Sequence, residues 1–247
     1  MTRCYNAHIL KRSLVSIFIA GILIILGLAF EWNHRSTIAQ SVPIITYHDV
    51  VAEGDYSIAA VRRSSIVFAQ DIEQLAQEGY TPIKFSDLIA YAKFRRLALP
   101  AKPIVITFDD GWVGQFNNAR PILEAHGFVA TFFINSALID SKDGYMSWNQ
   151  VRALRAANME IGGHGAHHIE LAEQLAVTTL HKEISRDKER IEAELGVPVN
   201  TFAYPYNTHT TTTISVLKAV GYDGARTGGA PLTTSLFTFR SWIMENK

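Results

Sequence analysis

Short apolar runs alternate along the chain with segments in which apolar residues recur every three or four positions. The short runs are typical of strands buried on both faces, and the periodic segments are typical of amphipathic helices. The predicted strands are 42–47, 104–108, 129–135, 159–162, 202–204 and a strand starting at 223–226. The predicted helices are 68–77, 86–96, 117–126, 148–157, 178–195 and 212–220. This alternation predicts an α/β domain over residues 42–247, with a parallel sheet wrapped by helices.

A longer apolar run, residues 14–30, precedes this domain and is interrupted only by one serine and two glycines. Seventeen helical residues would span roughly 25 Å, which is at the short end of what crosses a bilayer. Basic residues before the run predict a cytoplasmic N-terminus, a single-pass anchor in the cell membrane and an extracytoplasmic domain. A cleaved signal peptide is the alternative, with 36–39 as the nearest candidate site. The polar residues 31–41 are interpreted as a short tether within an N-terminal region of residues 1–41.

Charge and cysteine content exclude several classes of protein. The 23 basic and 23 acidic residues balance, whereas a nucleic-acid-binding protein would usually carry a basic excess. The single cysteine, Cys4, excludes an internal disulfide framework and a zinc cluster built from cysteines. Mixed charges over residues 187–194 predict a solvent-exposed helix face. Composition gives no indication of protein partners.

Two carboxylates end the central predicted strand, because Asp109 and Asp110 directly follow Phe108 and are followed by Gly111. The glycine allows a sharp turn, and active sites of α/β barrels lie at the carboxyl ends of their strands. Adjacent carboxylates repel each other unless a cation or a shared proton relieves them. An acidic turn without function is the alternative for this motif taken alone.

Three histidines follow another short predicted strand within five residues, in the sequence Gly-Gly-His-Gly-Ala-His-His that ends at His168. His164 and His168 are four residues apart, a spacing that can bring two imidazoles to one metal ion. Asp110 would supply a carboxylate as the third ligand and leave room for water. His167 points elsewhere at this spacing and is predicted to be a surface residue or to support the site.

Three motifs in order, Thr-Phe-Asp-Asp-Gly at 107–111, His-x-x-x-His at 164–168 and Phe-Ala-Tyr-Pro-Tyr at 202–206, resemble those of the polysaccharide deacetylases with NodB homology (carbohydrate esterase family 4). The resemblance covers roughly residues 42–240. It implies a distorted (β/α) barrel and a metal-dependent hydrolase that removes acetyl groups from sugars.

The resemblance also implies a role for each matching residue. Asp109 corresponds to the catalytic base. Asp110, His164 and His168 correspond to the metal ligands, and zinc suits this set, although the resemblance also allows cobalt, nickel or manganese. A bound metal would lower the pKa of a water molecule and polarise the acetyl carbonyl, while Asp109 accepts the proton of that water.

The third motif resembles the branch of the family that acts on poly-β-1,6-N-acetylglucosamine of biofilm matrices. Pro205 and Tyr206 are implied to contact the substrate, with the backbone N–H of Tyr206 supporting the oxyanion. The usual late Leu-x-x-His strand is absent near the C-terminus, and Ile-Thr-Tyr-His at 45–48 resembles that strand in the permuted order of this branch. His48 would then be the general acid, and a loop histidine without catalytic function is the alternative.

Three departures from the family pattern affect the site. Many members have Ser or Thr where this chain has Gly165, many have Arg where it has Ala203, and many have Gly where it has Asn207. Arg226 or Arg240 could replace that arginine by holding Asp109, and a surface salt bridge is the alternative for both. Trp148 could stack on a sugar ring, although a core position is favoured because it opens an amphipathic helix.

The sequence therefore predicts a membrane-anchored deacetylase acting on an acetylated extracellular N-acetylglucosamine polysaccharide. Peptidoglycan or chitooligosaccharides are the alternative substrates for the same site. A glycan-binding protein without activity is a less favoured alternative, because none of the four metal-ligand and base residues is missing.

Overall fold

The computed structural model describes residues 2–52, 62–93, 98–141, 143–173, 175–229 and 235–244, with the backbone alone described for 2–20 and 23. The strands are β1 Ile44–Tyr47, β2 Asp49–Val51, β3 Arg62–Ser64, β4 Thr81–Pro82, β5 Pro103–Phe108, β6 Thr131–Ile134, β7 Glu160–Gly163, β8 Thr201–Ala203, β9 Gly224–Gly228 and β10 Phe239–Ile243. The helices are α1 Thr2–Ser41, α2 Ser65–Gln77, α3 Phe85–Ala92, α4 Arg120–Ala125, α5 Trp148–Ala156, α6 Val177–Leu195 and α7 Thr211–Val220. A π-helical turn, Gln115–Ala119, precedes α4, and a short 3₁₀ turn, Pro205–Asn207, follows β8.

Seven parallel strands close into a barrel in the order β1, β10, β9, β8, β7, β6, β5 and back to β1. Closure depends on β10, which pairs with both β9 and β1. The short β4 pairs only with the first two residues of β5. The prediction of a distorted (β/α) barrel is confirmed, although β4 and β10 were not predicted from the sequence.

Because all the barrel strands run in the same direction, their carboxyl ends meet at one face of the barrel. The segments that follow β1, β5, β7 and β8 all lie at this face. The strands β5 and β6 are buried along nearly their whole length, as expected for strands covered on both faces. The sequence motifs follow these strands, so the fold collects them at one end.

Helix α3 covers the opposite, amino-terminal end of the barrel. The backbone N–H of Phe85 donates to Thr131 Oγ1 (3.0 Å), and that of Ser86 donates to Glu160 Oε2 (3.0 Å), at the first residues of β6 and β7. The helix begins at Phe85 rather than after a Ser86 cap, and the end predicted for it at 94–96 lies outside the described residues.

Helix α1 continues without interruption through residues 31–41, where a tether was predicted. Its last turns pack on α3, with Ala39 buried in the same apolar cluster as α3 and the Arg35 guanidinium 5.1 Å from the Tyr91 ring. In the part of the chain that the structure describes, no helical segment combines the length and the hydropathy that a membrane span requires. The transmembrane anchor over residues 14–30 therefore stays a prediction from the sequence.

Helices α5 and α6 pack beside β7. Their buried residues test the predictions made for Trp148 and for residues 187–194. Ser147 caps α5 in a reciprocal arrangement with Gln150, and Trp148 is buried, which supports its core position. The prediction that residues 187–194 form an exposed face is wrong at two positions, because Asp187 and Ile191 are both fully buried.

Candidate active site

Asp110, His164 and His168 meet at the carboxyl ends of β5 and β7. Asp110 Oδ1 lies 3.4 Å from His164 Nε2 and 3.2 Å from His168 Nε2. The three potential ligand atoms lie within 4.8 Å of one another. His164 Nδ1 lies 2.8 Å from the Ala203 carbonyl oxygen, so this nitrogen carries the proton and Nε2 offers a lone pair. Such a convergence of one carboxylate and two imidazoles is suited to a divalent metal ion.

The backbone at Asp110 is strained in a way that aims its carboxylate at the histidines. Asp110 has φ +77° and Gly111 has φ +87°, both in the left-handed region. Trp112 Nε1 donates to Asp110 Oδ2 (2.8 Å). Burial raises the pKa of the Asp110 carboxyl, but His164 and His168 outweigh that effect and leave this pKa well below its usual value. The carboxylate is therefore ionised at neutral pH, and its buried Oδ1 has no hydrogen-bond donor among the described residues.

Asp109 is buried beside Asp110, His164 and His168, which form the candidate metal-ligand cluster, and it is held by a different set of groups. Arg226 Nη2 donates to Asp109 Oδ1, and His48 Nε2 lies 4.0 Å from Asp109 Oδ2. Gln115 Nε2 donates to the carbonyl oxygens of both His48 and Asp109 and so ties β1 to β5. Burial raises the pKa of Asp109, but the Arg226 guanidinium and the neighbouring His164 and His48 side chains outweigh that effect and lower it below its usual value. Asp109 is thus an ionised carboxylate with one oxygen facing His48.

The structure brings Arg226, and not Arg240, to Asp109. Arg226 on β9 is paired in register with Ala203 on β8, where the family pattern usually has the arginine. Side chains of paired residues on adjacent strands leave the sheet on the same face, so a guanidinium from β9 reaches the position of the missing one. Arg240 instead lies with its guanidinium 5.1 Å from the Trp242 ring.

Pro205 and Tyr206 form a tight turn at the edge of the metal-ligand cluster. Tyr206 and Asn207 both have positive φ, +57° and +58°. The Tyr206 ring is 59% exposed and its centroid lies 4.7 Å from that of His168, whereas Pro205 is buried. Arg226 Nη1 also contacts Asn207 Oδ1 (3.4 Å), so one buried arginine holds both Asp109 and this turn. The exposed ring of Tyr206 is available to a ligand.

Sequence reasoning missed several residues that support the cluster. Trp112 and Gln115 follow the Asp-Asp-Gly motif directly, and their indole and amide donors could have drawn attention to them. Trp112 also stacks on Tyr145, with ring centroids 4.4 Å apart. Glu183 on α6 accepts from the backbone N–H of His167, and its Oε2 lies 2.9 Å from His167 Nδ1. This places the exposed His167 side chain outside the metal-ligand cluster.

The chain belongs to the polysaccharide deacetylase family. The family model described as Polysaccharide deacetylase matches residues 96–225. This range includes the Asp-Asp-Gly motif, the His-x-x-x-His motif and the Phe-Ala-Tyr-Pro-Tyr motif at 202–206. The barrel and the cluster at its carboxyl face agree with this membership.

Two curated relatives and one solved structure are similar to this chain. YxkH of Bacillus subtilis, which is named as a polysaccharide deacetylase, is 24% identical over 73% of this chain and 62% of its own length. The poly-β-1,6-N-acetyl-D-glucosamine N-deacetylase of Escherichia coli is 24% identical over 78% of this chain and 34% of its own length. The chain thus spans between about a third and three fifths of these relatives. The Streptococcus pyogenes deacetylase PplD has the same fold, with a TM-score of 0.75, 20% identity and coverage of 83% of this chain and 92% of its own.

Proposed function

We propose that this chain is a metal-dependent N-deacetylase that removes acetyl groups from an extracellular N-acetylglucosamine polysaccharide of the poly-β-1,6 type. The observation that carries the proposal is the convergence of Asp110, His164 and His168 next to an ionised Asp109 that is not part of the ligand set. The β-1,6 linkage is supported by the Escherichia coli relative, whose name states that substrate, and by the third motif.

The residues of the cluster fit a divalent metal ion, for which zinc is proposed. In the part of the chain that the structure describes, no group donates a hydrogen bond to the buried Oδ1 of Asp110. Two imidazole nitrogens and one carboxylate oxygen form a ligand set that zinc accepts in catalytic sites. When bound, the metal would supply Lewis-acid polarisation of the acetyl carbonyl and would lower the pKa of a water molecule. Asp110, His164 and His168 would hold it.

The remaining groups account for the proton transfers of amide hydrolysis. Asp109 would accept the proton of the attacking water as the C–O bond forms. The backbone N–H of Tyr206 would donate to the oxyanion. His48, which lies near Asp109 Oδ2 whereas Arg226 donates to Oδ1, would give a proton to the nitrogen as the C–N bond breaks, so that an amine and acetate leave. In this arrangement a different residue accepts the proton of the water, donates to the oxyanion and protonates the departing nitrogen.

Acetate release from defined oligomers tests the proposed function. The purified full chain loaded with zinc is expected to release acetate faster from β-1,6-linked than from β-1,4-linked N-acetylglucosamine oligomers. Removal of the metal by a chelator is expected to stop the reaction, and added zinc to restore it. Faster release from the β-1,4 oligomers would contradict the proposed linkage and favour peptidoglycan or chitooligosaccharides. Binding of both oligomers without acetate release would instead indicate a glycan-binding protein.

Arg226→Ala is expected to shift the acidic limb of the kcat/KM profile to higher pH. Without the guanidinium, the pKa of buried Asp109 rises, so the base is protonated at pH values where it is now ionised. Breaking a buried ion pair from one side also costs about 3–5 kcal/mol of the free energy of unfolding. The measurements are kcat/KM against pH and thermal unfolding.

The double variant Ala203→Arg/Arg226→Ala is the matched control for this prediction. It moves the arginine to the register partner on β8 and is expected to return the acidic limb toward its original pH. A native pH profile in Arg226→Ala would show that Arg226 does not set the pKa of the base.

We further propose that residues 14–30 anchor the chain in the cell membrane with the barrel on the extracytoplasmic side. In the described part of this run Ile24, Ile25, Leu28 and Phe30 are exposed, which leaves apolar surface for lipid. Helix α1 leads into the amino end of β1, so the site at the carboxyl ends would face away from the bilayer. Retention of the full chain in the membrane fraction after alkaline carbonate washing is expected. Release of a shortened chain would support the cleaved signal peptide instead.

A further inference from the structure

The loop between the two histidine ligands is fixed by hydrogen bonds from outside itself. The N–H of His164 donates to the Ile134 carbonyl (3.1 Å), and that of Ala166 donates to the Glu183 carbonyl (3.3 Å). Asn135 Nδ2 donates to the carbonyl oxygens of His164 (2.6 Å) and Gly165 (2.9 Å). The backbone of His164, Gly165 and Ala166 is therefore held by groups that lie outside this loop.

Asp187 on α6 supplies the central acceptor of this arrangement. Its Oδ2 accepts from the N–H groups of His164 (2.9 Å) and Gly165 (3.0 Å), and its Oδ1 accepts from the N–H of Ser136 (3.0 Å). One carboxylate thus joins the segments that follow β6 and β7. Gly165 has φ +76° and lacks the hydroxyl that many relatives place there, so its N–H bond to Asp187 fixes this residue in another way.

Asp187 is costly to bury, which argues that it has a specific task. Its side chain is 0% exposed, and no salt bridge joins it to a basic residue in the part of the chain that the structure describes. Burial raises the pKa of Asp187 to about 7, and the hydrogen bonds from Ser136 and His164 oppose that rise. An uncompensated buried carboxylate destabilises a fold, and the hydrogen bonds from the three N–H groups and from the Ser136 side chain offset that cost at Asp187.

Glycine is required next to this carboxylate. A Cβ at Gly163 would lie 2.8 Å from Asp187 Oδ2 and 2.3 Å from Tyr222 Oη, both shorter than real Cβ contacts allow. Glu183, one helical turn before Asp187, accepts from the N–H of His167 at the other end of the loop. Two carboxylates four residues apart on α6 therefore bracket the ligand loop.

We propose that Asp187, assisted by Glu183, is a positioning residue that preorganises the His164–His168 loop for metal binding. The proposal rests on the metal-dependent function proposed above. Outer partners that orient metal ligands are worth about 10–100-fold in metal affinity. Asp187 acts on His164 through the backbone N–H, whereas the Ala203 carbonyl acts on its ring.

Zinc affinity of the full chain, measured by competition with a chromophoric chelator, tests this proposal without requiring deacetylase activity. Asp187→Asn replaces one acceptor oxygen with an amide donor at nearly constant volume, and is expected to weaken zinc binding about 10–100-fold. Turnover is expected to recover when zinc is saturating. Glu192→Gln is the matched control, because the Glu192 carboxylate lies on the same helix but accepts from the Val199 N–H and not from the ligand loop. The zinc affinity of the Glu192→Gln variant is expected to be unchanged.

The outcomes separate the possible failures. Native zinc affinity in Asp187→Asn would overturn the positioning role, and so would a lowered melting temperature with unchanged zinc affinity, which indicates a purely structural residue. If Asp187→Asn does not fold, Glu183→Gln decides, and unchanged zinc affinity in that variant would overturn the proposal. A native chain that binds no zinc would instead refute the proposed metal-dependent function itself.

Discussion

Replacing Asp109 by asparagine is expected to lower kcat about 10³-fold, within the 10²–10⁴-fold range of general acid–base catalysis, while metal content stays native. The carboxylate is buried, ionised and held by Arg226 on one oxygen, with its other oxygen facing His48. The amide keeps the volume of the side chain but cannot accept the proton of the attacking water. Metal content by atomic emission and acetate release on N-acetylglucosamine oligomers are the two measurements.

The comparison variants for this experiment are His48→Ala and Asp223→Asn. His48→Ala is expected to reduce turnover with unchanged metal content, and lost metal would instead make His48 a ligand. Asp223 pairs with Lys93 near the amino end of the barrel, so Asp223→Asn is expected to keep its activity. Native turnover in metal-loaded Asp109→Asn would refute the assignment of Asp109 as the base.

The convergence of Asp110, His164 and His168 could be predicted from the sequence because each of them lies within a short motif at the end of a strand. Asp110 lies two residues after a buried apolar run, and His164 and His168 follow a short strand. Parallel strands bring such ends together whatever the details of packing. The sequence could not show in the same way whether Arg226 or Arg240 takes the place of the missing arginine beside Asp109. It depends on which residue of β9 pairs with Ala203, and register is a property of the folded sheet.

The role of α6 was missed although its signal was present. The buried positions of the helix are Leu180, Glu183, Ile184, Asp187 and Ile191. These follow the spacing of one helix face, so both carboxylates lie on the apolar side of an amphipathic helix. Judging Asp187 by its charge rather than by its position on the helix led to the wrong prediction of an exposed residue.

The last turns of α1 show the same kind of error, because their polar composition was given more weight than their position against the rest of the fold. Residues 31–41 are polar enough to suggest a tether, yet Ser36 and Ala39 are buried and Gln40 Nε2 donates to the Ser235 carbonyl (2.9 Å). Polar residues can continue a helix when one side of it finds a surface to pack on. That surface is provided by α3, which lies more than 40 residues further along the chain, so the local sequence does not reveal it.

His164→Ala is expected to remove both the metal and the activity, in contrast to the loss of activity alone in Asp109→Asn. His164 is buried, and its Nε2 is one of the three ligand atoms. Loss of a ligand atom is expected to weaken zinc binding by more than the roughly 10–100-fold cost of losing an outer partner. Chelator competition and metal analysis of the purified variant are the measurements, and native metal content would show that the ion lies elsewhere.

The pH dependence of zinc affinity gives the same ligand a second test. Burial lowers the pKa of His164, but Asp109 and Asp110 outweigh it and raise this pKa above its usual value. Because zinc requires the neutral imidazole, zinc affinity is expected to fall as the pH drops through that raised pKa. His167→Ala is the matched control within the same loop, since its side chain is 60% exposed and points away from the ligand atoms. It is expected to keep both its metal and the pH dependence, so an equal loss in both variants would mean that the loop, rather than the His164 imidazole, holds the ion.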